Sequence, residues 1–149
     1  MKKEIPNPYV DGNCFYCGWK NKDGFKLKFY LDDETREVST EFVPAPPFIG
    51  QGNIVHCGIH LGLLDEIMGW TSHVATGEMA VTSDIQVKLL KPVYLGKQVK
   101  VTCRVISRKG RKVRMRAEIE DSDGNVCSVA TGTYQILSMG IYESMIHAQ

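Results

Sequence analysis

Gly50-Gln51-Gly52-Asn53-Ile54-Val55-His56-Cys57-Gly58-Ile59-His60-Leu61-Gly62-Leu63-Leu64-Asp65-Glu66-Ile67-Met68-Gly69-Trp70 is the stretch whose reading decides the fold. Within it Ile59, Leu63, Leu64, Ile67 and Met68 recur at three-and-four spacing, which predicts a helix over residues 54–70 with Asn53 as its N-cap. Its charged side chains are Asp65 and Glu66, and Gly58, Gly62 and Gly69 leave room for other backbone to approach. Such a helix is enclosed by the rest of the domain rather than laid on its surface.

Outward from the helix, the chain is strand-like. Phe25, Leu27, Phe29 and Leu31 alternate with Lys26, Lys28 and Tyr30, the period of a half-buried strand, and residues 38–43 form its hairpin partner. Pro44-Ala45-Pro46-Pro47 is a loop. Beyond the helix, residues 79–90, 98–107, 112–120 and 126–137 are rich in β-branched side chains. Lys91-Pro92, Lys109-Gly110 and Asp123-Gly124 punctuate them, the last being the clearest hairpin turn. Two strands, one long helix and four further strands imply an α+β class, an antiparallel β-sheet wrapped around one long central α-helix. Residues 1–149 make a single domain, with a C-x-x-C segment over 1–24 and an unassigned tail over 138–149.

Composition narrows the function classes. Lys and Arg number 18 against 17 Asp and Glu, a net charge of +1, so no general field draws nucleic acid or an anionic bilayer. The first residues lack the apolar run of a signal peptide, and no stretch is long and apolar enough to cross a membrane; the expectation is a cytoplasmic protein. Five cysteines, an odd count, favour reduced thiols over a disulfide framework. Cys14 and Cys17 form one C-x-x-C pair, but a closed zinc site needs four ligands and no second pair exists, so neither metal nor cofactor is expected.

The chemistry concentrates where the loop meets the helix. Amides of a first helical turn have no partner inside the helix and point along its axis, forming a donor site for an oxygen that gains negative charge. A thioester carbonyl under attack is such an oxygen. Asp65, two turns on among apolar neighbours, is costly there unless it has partners or a task. It either works as nucleophile or base, or lies exposed or bonded to a neighbouring hydroxyl. Cys57 and Asp65 are eight residues apart, about 12 Å of helix rise, too far to touch one carbonyl group from the same chain. Two chains must contribute, which predicts at least a homodimer with antiparallel helices and two composite sites.

Cys14-Phe15-Tyr16-Cys17-Gly18, Gly24-Phe25-Lys26-Leu27, Val55-His56-Cys57-Gly58, Leu64-Asp65-Glu66, residues 82–87, Leu90-Lys91-Pro92 and Gly96 together resemble the hotdog-fold acyl-CoA thioesterases of the PaaI-like, phenylacetate-pathway type in the 4HBT superfamily. The resemblance covers nearly the whole chain. It implies a hotdog fold, homodimers often paired into homotetramers, and metal-free hydrolysis of acyl-CoA. It implies also that the amide at position 57 polarises the carbonyl and that Asp65 from the partner chain attacks it or deprotonates water. On the same resemblance Thr82 helps position that water and His56 holds the helix start and the substrate. The sequence departs from the family's pattern at Cys57 and Asn53, where glycines are usual; the amide donor survives either change.

Substrate-binding candidates are Gln51, Asn53 and Gly58 around the helix start. Arg108 and Arg111, in the basic tip Arg108-Lys109-Gly110-Arg111-Lys112, could meet the coenzyme phosphates or sit on a solvated turn. Cys57 as a nucleophile is disfavoured because its neighbour His56 points in another direction. Glu66 is turned about 100° from Asp65 and is the weaker carboxylate. His60, His73 and His147 have surface or packing roles by default, and Trp19 and Trp70 either pack or line an acyl pocket. The rival functions are a non-catalytic acyl-CoA sensor or binding module and a hydroxyacyl-thioester dehydratase of the same fold, whose loop motif is not evident.

Overall fold

In the computed structural model residues 1–148 are described; Gln149, the end of the 138–149 tail, lies outside the described residues. The elements are β1 (Lys2–Glu4), β2 (Tyr30–Asp32), β3 (Val38–Phe42), α1 (Cys57–Thr76), β4 (Met79–Leu89), β5 (Val99–Lys109), β6 (Lys112–Asp121), β7 (Val126–Leu137) and α2 (Met139–Ile146). The strands make one seven-stranded antiparallel sheet in the order β1-β2-β3-β5-β6-β7-β4. The helix α1 lies across it from β3 to β4. This is the expected architecture, a long helix held by a curved antiparallel sheet.

The helical stripe read from the sequence is the part that is buried: Leu63, Leu64, Ile67 and Met68 are at most 3% exposed, while Ile59 is half-buried. They meet Val101, Val113, Met115, Ile119 and Ile136 of the sheet in one core. Trp70 belongs to that core, stacked on Phe29 with ring centroids 4.4 Å apart, whereas Trp19 is exposed.

The helix boundaries differ from the expected ones at both ends. Ile54 and Val55 are drawn into β-bridges with Tyr94 and Ile49, and the Val55 and His56 amides donate to the carbonyls of Val93 and Phe48. Helical bonding therefore starts at Cys57, and the cap is His56, not Asn53. At the far end the polar run Thr71-Ser72-His73 conceals a continuation to Thr76. Thr71 and Thr76 turn their hydroxyls onto the helix's own carbonyls, at 2.7 and 2.8 Å, and Gly77 ends it with a left-handed φ of 71°.

The strand expected over 25–31 is reduced to Tyr30–Asp32, because the Phe25 and Leu27 amides are taken by the carbonyls of Phe15 and Tyr16 and Lys26 has a φ of 51°. Leu27 and Phe29 remain buried as the alternation required. Two elements had no sequence counterpart: β1, which adds to the edge at β2, and α2 in the tail, capped by Ser138.

The N-terminal segment, residues 5–29, carries no long element but wraps over one side of α1. The gap left by Gly62 is filled by the Tyr16 ring and that of Gly69 by the Tyr9 hydroxyl, so side chains rather than backbone use the space that the helical glycines leave. A Cβ at position 62 would sit 1.6 Å from the Tyr16 hydroxyl and 2.2 Å from its ring carbon. Alanine gains about 1 kcal/mol over glycine in a helix, but overpacking a filled site costs about 1–3 kcal/mol. Because Tyr16 is itself buried, the steric term wins: Gly62→Ala is expected to lower Tm by roughly 2–6 °C in a thermal melt.

Candidate active site

The site is built on the two ends of the Cys57–Asp65 stretch of α1. At the helix start His56 takes an extended conformation and its Nδ1 accepts the Gly58 amide at 2.9 Å. This caps one orphan donor with a side chain. The Ile59 amide goes to the His56 carbonyl. The Cys57 amide has no acceptor among the described residues, and its side chain is exposed. It is a free donor at the positive end of a 20-residue helix.

Beside that donor lies a cavity of about 270 Å³ lined by Ile54, Val55, Cys57, His60, Leu89, Leu90, Lys91 and Pro92. Its walls are largely aliphatic, made where the 54–57 loop meets the end of β4. His60 closes its floor, 4% exposed, with Nδ1 2.9 Å from the Ser128 hydroxyl. Burial holds its pKa below the ordinary 6.5. His60 is thus a packed histidine, as its lack of companions implied, while His73 bonds the Glu78 carbonyl and His147 is exposed.

Asp65 is half-buried and points at the sheet. Its Oδ1 accepts the Thr82 hydroxyl at 2.6 Å and also the Tyr134 hydroxyl, which lies 2.7 Å from the Asp65 main-chain oxygen as well. Thr82 and Tyr134 are directly opposed across the β4–β7 ladder, immediately before a register shift between Thr82 and Asp84. The pairing therefore delivers both hydroxyls to one carboxylate. Burial, followed by the Asp65 charge, pushes the Tyr134 phenol far above its usual range, so it remains a donor. Oδ2 of Asp65 has no partner among the described residues, leaving one oxygen for chemistry.

The sequence-selected residues fall into separate groups. His56, Cys57, Gly58, Gln51 and Asn53 gather at the helix start; Asp65 and Thr82 meet two turns away. Arg108 and Arg111 sit at neither place. Arg108 lines a groove with Thr71, Val74 and Ala75 of the C-terminal half of α1, and Arg111 pairs with Glu78 at 3.7 Å and donates to the Ile136 carbonyl. In one chain the length of α1, about 30 Å for 20 residues, separates them from Cys57. Tyr134 escaped the sequence reading because only strand register places it opposite Thr82.

A second group lies on the neighbouring face of α1. Cys14 Sγ is 3.7 and 3.9 Å from the Glu66 oxygens, and the Trp70 indole donates to Glu66 at 3.2 Å. Burial pushes the Glu66 carboxyl up to about 7, and hydrogen bonding from the Cys17 side chain holds the Cys14 thiol down at about 5.

A long helix enclosed by an antiparallel sheet, with a free amide at its start and a hydroxyl-held carboxylate two turns on, defines a hotdog-class domain. The chain belongs to the thioesterase superfamily, whose family model matches residues 52–128, and is by family a thioester hydrolase. Among solved structures it is similar to a Streptococcus mutans protein bound to acetyl-CoA (TM-score 0.65, 20% identity, covering 68% of this chain and 82% of that one). It is also similar to the Escherichia coli PaaI protein of the phenylacetic acid degradation operon (TM-score 0.65, 16% identity, 68% and 73% covered). A third such structure is the thioesterase HI1161 of Haemophilus influenzae (TM-score 0.72, 16% identity, 83% and 86% covered). None of the curated proteins matches it by sequence. No helix of the described residues is long and apolar enough to cross a membrane.

Burial decides how much each hydroxyl contributes. Tyr134 is 2% exposed, so Tyr134→Phe, which removes a buried donor from the half-buried Asp65 carboxylate, is expected to cost about 1–3 kcal/mol in denaturant unfolding. Thr82 is exposed, and Thr82→Val should cost less than about 1 kcal/mol. A neutral buried His60 binds fewer protons folded than unfolded, so its contribution is present above pH 6.5 and is lost as pH falls through the depressed folded value. The difference in unfolding free energy between wild type and His60→Gln should therefore shrink between about pH 7 and 5.

Proposed function

We propose that the protein hydrolyses an acyl-CoA thioester at a site shared by two chains. The observation that carries this reading is the pairing of a free Cys57 amide, beside an apolar cavity, with an Asp65 carboxylate that keeps one oxygen uncommitted. The amide stabilises the carbonyl oxygen as it gains charge. Asp65 from the neighbouring chain attacks the carbonyl carbon or removes a proton from an attacking water, the carbon–sulfur bond breaks, and the coenzyme leaves as thiolate. Thr82 and Tyr134 fix the carboxylate's orientation, and a water sharing the Thr82 hydroxyl is held in line.

The dimer is supported by the sheet. The strand β4 is 11 residues long and ends the strand order, its outer edge unpaired among the described residues. A free edge of this length is a template for pairing with a second copy. Two-fold pairing there sets the helices antiparallel and brings one chain's helix start toward its partner's Asp65. The same operation carries the partner's β5–β6 hairpin tip toward the Cys57 end, which would let Arg108 and Arg111 meet coenzyme phosphates there. In this reading His56, through its remaining ring nitrogen, and Gln51, Asn53 and Gly58, all at the helix start, contact the incoming substrate. A further pairing into tetramers and a cytoplasmic location complete the reading. The acetyl-CoA held by the Streptococcus mutans protein agrees with a coenzyme A thioester as substrate class.

A substitution can remove the amide itself. Position 57 is the first helical residue, where proline is tolerated, and the extended His56 before it suits a following proline. Thiol release from short, aromatic and long acyl-CoAs is expected to fall about 100-fold or more in both Asp65→Asn and Cys57→Pro. Co-expressed in equal amounts, the two inactive chains should recover about a quarter of wild-type activity, since half the dimers are mixed and each holds one intact site. No recovery would remove the shared site; unchanged turnover in Asp65→Asn would remove the carboxylate's role, and acyl-CoA binding without cleavage by wild type would make the protein a sensor.

A further inference from the structure

The C-x-x-C pair is not absorbed by the hydrolytic site, yet it is built into the fold. Residues 12–24 form a tight knuckle in which the Gly18 amide donates to the Cys14 carbonyl at 2.7 Å. No side chain fits at Gly18, where a Cβ would lie 2.3 Å from the Gly12 carbonyl and 2.5 Å from that of Cys14. Asn7 secures the knuckle through the Cys17 carbonyl, and its two sulfurs face Glu66 of α1. The Cys14 and Cys17 sulfurs and a Glu66 oxygen all lie within 4.8 Å of one another, the pair Cys14–Glu66 at 3.7 Å.

That spacing suits a shared cation. Tetrahedral coordination with metal–sulfur and metal–oxygen bonds of about 2.3 and 2.0 Å sets ligand atoms roughly 3.5–3.8 Å apart. Two sulfurs and one carboxylate oxygen suit a borderline-soft ion and leave a fourth position for water. Glu66 is half-buried and makes no ion pair among the described residues, so no positive charge meets it there. Spacing along the chain could not reveal this set, because the third donor comes from a helix about 50 residues away, |i−j| being 52.

We propose that Cys14, Cys17 and Glu66 bind one divalent ion of the zinc class, clamping the N-terminal knuckle onto α1 beside Asp65. Binding releases to solvent whatever protons the two sulfurs and the Glu66 carboxyl hold, and leaves the ion held by two thiolates and a carboxylate. The ion is structural: it ties residues 5–29 to the helix they cover, on the face turned away from the Thr82 and Tyr134 hydroxyls.

The test uses the full-length chain, reduced, stripped with a chelator and titrated with cobalt(II) and then zinc(II). One cobalt per chain with a thiolate-to-cobalt charge-transfer band is expected, and zinc should displace it and raise Tm. Cys17→Ser should lose the band. Glu66→Gln, which keeps both thiols, should retain it with affinity weakened on the order of 10-fold or more. Circular dichroism of each stripped variant separates lost ligation from lost fold. Cys57→Ser, which removes the exposed thiol elsewhere, should leave metal binding unchanged. A reduced wild-type chain that takes up no cobalt, a band that survives Cys17→Ser, or one that disappears with Cys57→Ser would each overturn the proposal.

Discussion

A helix wrapped on most of its circumference must have its charges met by whatever wraps it, since an unpaired carboxylate in such a place is costly. Among the Asp, Glu, Lys and Arg side chains α1 carries two, Asp65 and Glu66, and they are consecutive. One residue along a helix is a turn of about 100°, so the two cannot share a solution. Asp65 faces the sheet and is met by hydroxyls from β4 and β7. Glu66 faces the N-terminal segment and is met by the Cys14 thiol and the Trp70 indole. The enclosure of the helix thus creates two polar sites back to back.

The two sites differ in what they leave free. Thr82 and Tyr134 engage one oxygen of Asp65, and Thr82 is exposed, so the group is oriented yet reachable. An oriented, accessible carboxylate suits reaction with a bound electrophile. Glu66 is surrounded by sulfur and aromatic surface, with its carboxyl raised to about 7, an environment that favours a neutral acid or a cation-bound carboxylate. The first suits the hydrolysis proposed for this chain. The second belongs to the fixing of a segment that has no long strand or helix of its own.

Much of the fold was legible because its elements carry strong periods. The β-branched runs of β4 to β7 located those four strands to within two residues, and the stripe Leu63, Leu64, Ile67 and Met68 located the buried face of the helix though not its ends. What misled were places where tertiary bonding overrides local preference: Ile54 and Val55, claimed by bridges to Tyr94 and Ile49, and Phe25 and Leu27, whose amides go to the 15–16 loop. The short β1 and α2 give no comparable signal in sequence. Of the candidate site, Cys57 and Asp65 were reached from their places along the helix, and His56 and Thr82 through the resemblance to the family. Arg108 and Arg111, also selected from the sequence, stand at the opposite end of α1 and do not join that site within one chain.

The sequence by itself determined that one long apolar helix would be sheathed by antiparallel strands and would carry a carboxylate two turns from a free amide. Periodicity of 3.6 and of 2 fixes which side chains go inside, and those are properties of the chain alone. Tertiary structure decided which groups meet the buried charges. Tyr134 reaches Asp65 because β4 and β7 pair in one register, and Cys14 and Cys17 reach Glu66 because the N-terminal knuckle folds over the helix. Contacts between residues 49 to 69 positions apart depend on register and on the path of the chain through space, which no local pattern encodes.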